Sequence, residues 1–181
     1  MRRTLLLVVV VLAGCGQVDQ RPFVPASRAE PQQVDLGWRE VYPAAAKRLV
    51  FEVHELEIRA DGWSAAISVT NQTGVAFETG KGPTDHSYGL MLFDNANTAE
   101  LQESSSRGTL PAVRKAAAIE PSVPPVLRAG ATWRATLSAP GALAAESWVR
   151  VAFGPFRAVG APPEGIEPIV FWITDRSTRL R

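Results

Sequence analysis

Cysteine, histidine and methionine are scarce in this sequence of 181 residues, which contains one, two and two of them. A single cysteine cannot form a disulfide within the chain, so an exported domain must be stabilised here by its core alone. Neither sign of charge is in excess, with 19 lysine and arginine residues against 18 aspartate and glutamate residues. This balance gives no indication of a nucleic-acid partner or of an anionic surface. No apolar run reaches the ~20 residues that a membrane-spanning helix needs.

Sequence patterns of nucleophilic catalysis are absent as well, since no Gly-x-Ser-x-Gly turn occurs. Asp85, His86 and Ser87 have the residue types of a catalytic triad, but a triad needs the imidazole between the other two side chains. Adjacent residues of an extended chain point to opposite faces, so these three side chains do not converge. We therefore expect no enzymatic activity and assign no catalytic residue.

Metal-binding residues are few. A site needs three or four converging His, Cys, Asp or Glu side chains, and the histidines of the chain are His54 and His86. His54 fits better as a hydrogen-bonded histidine of the core or of a sheet edge, although a site that joins both histidines with Asp85 or Asp94 stays open. The loop 80–82, Gly-Lys-Gly, lacks the residue order of a phosphate-binding loop. We assign no metal ligand and no cofactor.

The N-terminal segment carries the most specific pattern of the sequence. Two arginines precede an apolar run from Leu5 to Leu12, and the small residues Ala13 and Gly14 then lead to Cys15. A positive start, a short apolar run and small residues before a cleavage point form a secretory signal. The stretch Leu12-Ala13-Gly14-Cys15 resembles the lipobox of bacterial lipoproteins. This resemblance implies lipidation of Cys15, removal of the signal peptide 1–14, and a location in the cell envelope, anchored to a membrane and facing outside the cytoplasm.

Processing at Cys15 would leave 181 − 14 = 167 residues, and the loss of Arg2 and Arg3 would leave 17 basic against 18 acidic residues. The alternative, an uncleaved membrane helix, has about half the apolar length that it needs. We predict that residues 15–37 form the acylated cysteine and a flexible tether, because they are polar and rich in proline. The remaining length suits one domain, which we place at residues 38–181.

Alternation of apolar and polar residues predicts short strands throughout this domain. The segment 63–69 is the clearest strand, and the segment 49–58 changes phase near His54 and Glu55, which predicts a β-bulge there. Further strands are predicted at 88–93, 133–137, 149–153 and 169–173, with helical turns possible over 38–46 and 111–119. About seven strands with Gly and Pro turns indicate an all-β domain. We predict an immunoglobulin- or fibronectin-like antiparallel β-sandwich, with a small barrel as the alternative.

The strand that ends in Thr70-Asn71-Gln72-Thr73-Gly74 resembles those of immunoglobulin-like domains in bacterial surface lipoproteins. This resemblance implies a fold and no function.

Two features of the domain point to binding. The 37 residues from Asp94 to Gly130 link two strands, whereas loops beyond ~12–15 residues are uncommon in compact domains and often functional. They form either a structured crossover between the sheets, with a helical turn and an edge strand, or a loop that binds a partner. Trp148 and Trp172 lie on the phase opposite that of Val149 and Phe171, which indicates either strands covered on both faces or an exposed aromatic patch.

We therefore expect a non-enzymatic, lipid-anchored lipoprotein whose β-sandwich binds a protein partner at the cell envelope, through the 94–130 segment and the 80–87 loop. The candidate partner-binding residues are Asp85, His86, Arg107, Arg114 and Lys115. The alternative is an envelope protein that binds a small ligand or a metal through the loops around His86. Membrane contact would run through lipid on Cys15, and neither nucleic acid nor a cofactor is expected.

Overall fold

The computed structural model describes residues 27–43, 48–80 and 87–181, and the candidate residues Cys15, Asp85 and His86 lie outside these ranges. Two antiparallel β-sheets and one short α-helix make up the described part of the chain, so the predicted all-β sandwich is confirmed. Across the same residues, no helix has the length and apolar character to span a bilayer.

Twelve strands and the helix follow one another along the described chain. In chain order they are β1 (Gln32–Tyr42), β2 (Leu49–Arg59), β3 (Gly62–Asn71), β4 (Phe77–Glu78), β5 (Gly89–Phe93), α1 (Thr98–Arg107), β6 (Arg114–Lys115), β7 (Ala118–Glu120), β8 (Val126–Leu127), β9 (Thr132–Pro140), β10 (Trp148–Ala158), β11 (Ile169–Ile173) and β12 (Thr178–Arg179).

The first sheet, called sheet 1, has the strand order β1-β2-β3-β9-β7. The second, sheet 2, is built around the long strand β10. One side of β10 pairs with β5 and then β4, and the other side pairs with β12 and then β11. Strand β6 extends the sheet beyond β5, and β8 extends it beyond β4. We call the Trp148 end of β10 the lower end of the sandwich and the Ala158 end its upper end.

The connectivity is that of an immunoglobulin sandwich. Strands β2, β3, β9 and β7 occupy the places of strands A, B, E and D, and β5, β10 and β11 occupy those of C, F and G. Strand β1 is an addition at the edge of sheet 1, where it pairs with β2 over most of its length. The seven strands of the basic fold are therefore all present, with short strands added around them.

The core lies between the inner faces of the two sheets, and an aromatic cluster occupies its centre. Phe51 of β2 has its ring centroid 5.3 Å from that of Phe153 and 5.7 Å from that of Phe156, both on β10. The same ring stacks on Trp172 of β11 at 5.3 Å with an interplanar angle of 3°. Because these rings come from both sheets, their contacts fix how the sheets pack.

Two strand predictions from the sequence are confirmed. Strand β3 includes the whole of segment 63–69, with its apolar residues turned inward. The pairing of β2 with β3 shifts register between Val53 and Glu55, which is the bulge predicted from the phase change. The extra residue, His54, lies exposed at this bulge.

The predicted boundary between tether and domain is wrong. Strand β1 begins at Gln32, and the backbone of Ala29 already donates a hydrogen bond to the carbonyl of Leu143 at 2.9 Å. Glu30 likewise donates to the carbonyl of Arg181 at 2.8 Å. Backbone groups that pair in this way belong to the domain, which therefore includes residues from 27 onward.

The helical turns predicted over 38–46 and 111–119 are also wrong for the described residues, which are 38–43 of the first segment and all of the second. The segment 38–42 is the second half of β1, whose register shift between Asp35 and Trp38 follows from an extra residue at Gly37 (φ 53°). The segment 111–119 is extended and contributes β6 and the start of β7. Alanines at 116–118 favour a helix by intrinsic propensity, but pairing with β5 and β9 overrides this weak preference.

The two faces of β11 are the reverse of what the sequence predicted. Trp172 faces the core, whereas Ile169 and Phe171 face outward with 44% and 57% of their surface exposed. Trp148 at the start of β10 is half-buried. The tryptophans therefore do not form an exposed patch, and the apolar surface of β11 is formed by its other residues.

Candidate binding surface

The 94–130 segment is a structured crossover between the sheets, which was one of the two alternatives predicted for it. It contains the helix α1. Asn97 is the N-cap, and its side-chain oxygen accepts hydrogen bonds from the backbone N–H groups of Ala99 (3.0 Å) and Glu100 (3.5 Å). Gly108 ends the helix in the left-handed region (φ 67°). Asn followed three residues later by Glu is a helix-start signal, so the sequence could have revealed α1.

A buried arginine holds this helix against the outer face of sheet 2. Arg150 of β10 points away from the core, yet its side chain has no exposed surface. Its guanidinium donates to the carbonyl of Ala96, which precedes α1, at 2.9 Å. It also donates to the carbonyls of Thr174 (2.7 Å) and Asp175 after β11. One side chain thus joins three segments that are distant in sequence.

The electrostatics of Arg150 are those of a desolvated cation. Burial lowers the pKa of Arg150, while the charges of Asp175 and Glu40 act in the opposite direction. The guanidinium carbon lies 5.5 Å from the centroid of the Phe93 ring, which is a favourable cation–π distance. Its Nε has no hydrogen-bond partner among the described residues. Since no carboxylate of the described residues forms an ion pair with it, backbone carbonyls provide most of its stabilisation.

Glu40 of β1 closes the sandwich at the neighbouring edge. Its carboxylate accepts hydrogen bonds from the Nε1 of Trp172 (2.8 Å) and from the backbone N–H groups of Asp175 (3.0 Å) and Arg176 (2.9 Å). Charge-assisted bonds of this kind are stronger than neutral ones. They connect sheet 1 to the turn that Arg150 holds from the other side.

Two concavities border α1. A cavity of about 160 Å³ lies between α1 and the end of β5, and its lining includes Asp94 and Glu100. A groove of about 340 Å³ separates α1 from β11 and is lined by Leu101, Phe171 and Ile173 among others. Within the described ranges, no three His, Cys, Asp or Glu side chains are grouped so that they could hold a metal ion.

The candidate cations of the crossover lie on two elements. Arg107 is exposed in the last turn of α1 and pairs with Glu103 at 3.3 Å. Arg114 and Lys115 form β6, the edge strand beside β5, and a guanidinium nitrogen of Arg114 lies 3.4 Å from the carbonyl oxygen of Ala142. Arg114 and Lys115 are neighbours on β6, so their side chains point to opposite faces of the strand, and Arg107 is separated from both by the connection 108–113.

A polar group on the outer face of sheet 1 contains the residue types of a hydrolase site without their order. The hydroxyl of Ser68 donates to the carboxylate of Glu52 at 2.7 Å and lies 3.2 Å from the Nε2 of His54. In a catalytic triad the imidazole stands between serine and carboxylate, but here the serine stands between the other two. Ser68 also has no exposed surface, so a substrate could not reach it.

Comparison with known proteins adds no relative to this description. The chain matches no protein-family model, no curated protein and no solved structure.

Proposed function

We propose that the protein is a bacterial lipoprotein, anchored through acyl chains on Cys15, whose β-sandwich binds a protein partner at the cell envelope and catalyses no reaction. The anchor is supported by the sequence Leu12-Ala13-Gly14-Cys15 after a short apolar run. Two or more acyl chains hold a protein stably at a membrane, so this lipid would suffice as an anchor.

The crossover supports the binding role, and one observation carries it. Between residues 94 and 115, Leu101 is the one buried residue, although the segment includes an entire helix and a strand. Apolar burial therefore explains little of this segment's sequence. Its exposed side chains, with Arg107, Arg114 and Lys115 among them, offer a partner polar contacts, and Arg150 ties the start of α1 to sheet 2 through the carbonyl of Ala96.

The structure allows a sharper test than removal of the segment, because residues 118–120 and 126–127 are strands of the two sheets. We would reverse the charges of Arg107, Arg114 and Lys115 to glutamate and crosslink the acylated protein in its native envelope. The matched control is Arg134→Glu, an exposed cation on β9 of sheet 1.

We expect mass spectrometry to identify a crosslinked protein that is lost with the triple reversal and retained with Arg134→Glu. An unchanged set of crosslinked proteins in the triple variant would contradict this surface. The mass of the peptide that begins with Cys15 tests the anchor separately, since an unmodified cysteine there would contradict lipidation.

A further inference from the structure

The exposed large apolar residues of the described chain all belong to sheet 2 or directly continue one of its strands. They are Val126 on β8, Val159 just beyond β10, and Ile169 and Phe171 on β11, with exposed fractions of 39%, 50%, 44% and 57%. The lower half of the outer face is covered by α1, which Arg150 holds there. The upper half, which these four residues flank, carries no helix and is called here the upper patch.

A row of four side chains crosses the upper patch from one strand to the next. Strand pairing places Val126 opposite Glu78, Glu78 opposite Arg157, and Arg157 opposite Ile169. Directly paired residues point to the same face, and all four are exposed while their chain neighbours Phe77, Leu127, Phe156 and Val170 are buried. The row therefore reads apolar, acidic, basic, apolar over about 14 Å.

This order makes the row complementary to a copy of itself. A two-fold axis parallel to the strands, passing through the middle of the row, reverses the row in the second copy. Glu78 then faces Arg157 of the other copy, and Val126 faces its Ile169. Neither Glu78 nor Arg157 forms an ion pair with another described residue, so both charges are available for such contacts. Self-complementarity about a two-fold axis is what an isologous dimer requires.

We propose that the upper patch is a self-association surface, through which two copies of this protein pack sheet 2 against sheet 2 on one membrane. The relevance of this contact rests on the proposed lipid anchor. Ser27, where the described chain begins, accepts a hydrogen bond from Ala145 at the lower end of the sandwich. A two-fold axis parallel to the strands leaves both lower ends on the same side, so both anchors can enter one membrane.

The size of the patch predicts a weak contact. Four strands by about three residues cover about 200 Å² per copy, well below the ~800 Å² per partner of a stable interface. We therefore expect little dimer in dilute solution. Confinement of both copies to one membrane raises their effective concentration and favours the dimer.

Site-specific crosslinking on vesicles tests the predicted pairing. Cys15 is the one cysteine of the sequence, so in the acylated protein an introduced cysteine is the one free thiol. Val126→Cys and Ile169→Cys proteins would be mixed in phosphatidylethanolamine–phosphatidylglycerol vesicles and treated with a short bismaleimide. We expect the mixture to give about tenfold more dimer than either variant alone or than Thr136→Cys, an exposed position on sheet 1.

Charge reversal tests the order of the row. Glu78→Arg or Arg157→Glu alone places like charges opposite each other, and we expect about a tenfold loss of crosslinked dimer. The double variant Glu78→Arg with Arg157→Glu restores the pairing and should restore the product. Circular dichroism checks the fold of each variant. Because the double variant also restores the Glu78–Arg157 pair within each sheet, the two single variants are tested as a mixture, one with Val126→Cys and the other with Ile169→Cys. This mixture places opposite charges across the interface while like charges remain within each sheet, so recovery of the dimer by the mixture excludes a fold defect as the cause of the loss.

Several results would overturn the proposal. The first is a yield of crosslinked dimer no higher than that of Thr136→Cys, and the second is a yield that charge reversal leaves unchanged. The third is a loss of dimer that the double variant or the mixture of single variants does not recover. The fourth is a crosslink from the upper patch to a different protein. Flotation of the vesicles separates this inference from the anchor. Protein that floats without specific product contradicts self-association, and protein that does not float contradicts lipidation. In that second case Cys15 is also a free thiol, so the mixed-cysteine reaction is repeated at millimolar concentration in solution with Cys15→Ser in both proteins, and it decides the interface.

Discussion

Replacement of Arg150 by methionine should destabilise the domain and loosen α1 in particular. Methionine has a similar length and no hydrogen-bond donor, so it tests the three carbonyl contacts without opening a large cavity. The carbonyl of Thr174 would remain buried without this partner, and those of Ala96 and Asp175 would remain partly buried.

The expected magnitude follows from these three groups. An unsatisfied buried carbonyl costs about 1–3 kcal/mol, and a carbonyl that water can reach costs less, so the gross loss is about 4 kcal/mol. Removal of a buried cation relieves a desolvation penalty, which offsets part of this loss. We therefore expect a net destabilisation of about 2 kcal/mol. For a domain of this size that lowers Tm by roughly 4–8 °C.

The assay combines thermal unfolding with hydrogen exchange. Exchange should accelerate more for the amides of α1 than for those of β3, because Ala96 loses its tie to the sheet. The control Arg134→Met removes an exposed cation and should change stability by less than about 0.5 kcal/mol. If Arg150→Met has the same Tm as the wild type, and the amides of α1 exchange at the wild-type rate, the proposed role of Arg150 is refuted.

Two further predictions concern β5 and its surroundings. A Cβ at Gly89 would lie 2.1 Å from the carbonyl oxygen of Arg114, so Gly89→Ala should separate β6 from β5. We expect this variant to lower stability by about 1–3 kcal/mol and to speed amide exchange at Ala116. Gly74→Ala has open space around its Cβ and should do neither, and equal exchange in the two variants would contradict the prediction. Burial raises the pKa of Tyr88, so the folded protein keeps a proton that the unfolded chain loses above about pH 10. The free energy of unfolding should therefore fall above that pH by up to about 1.4 kcal/mol per pH unit. Chemical denaturation should show this fall in the wild type and not in Tyr88→Phe, and parallel pH curves for the two proteins would contradict the assignment.

The fold could be predicted from the sequence where alternation is regular and one face is buried. In β3 every second residue from Trp63 to Val69 is apolar and lies in the core, so the pattern carries both the strand and its inner face. The bulge at His54 could be predicted for the same reason, because a change of phase requires an extra residue.

The alternation of apolar and polar residues does not show which face of a strand points to the core when every residue of the strand is apolar. The residues of β11 are Ile169-Val170-Phe171-Trp172-Ile173, and nothing in this run distinguishes its two faces. The inner face is decided by partners from the other sheet, since Phe51 stacks on Trp172 and Glu40 accepts its indole N–H. These partners lie more than a hundred residues away, and a local pattern does not contain them.

The other errors arose from signals that were present but weak. Val34, Leu36 and Trp38 do alternate with polar residues, but glutamines and Pro31 precede them and Gly37 interrupts them, so β1 resembled the end of a tether. The role of Arg150 is even harder to predict from the sequence. That Arg150 is buried under α1 follows from tertiary contacts, because arginine on the outward phase of a strand is normally exposed.

The two outer faces of the sandwich show that the upper patch is a property of this sequence and not a necessity of the fold. The outer face of sheet 1 has no exposed large apolar residue among those described and carries mainly polar side chains, among them Arg39, Glu52, His54, Arg134 and Thr136. The same chain places a helix over the lower half of sheet 2 and leaves apolar residues on its upper half. Polar residues at these positions would serve a monomer equally well, because the side chains face away from the core. Exposed apolar residues arranged around an acid and a base support the proposed contact, and the reversal of charge order between two copies favours a second copy as its partner.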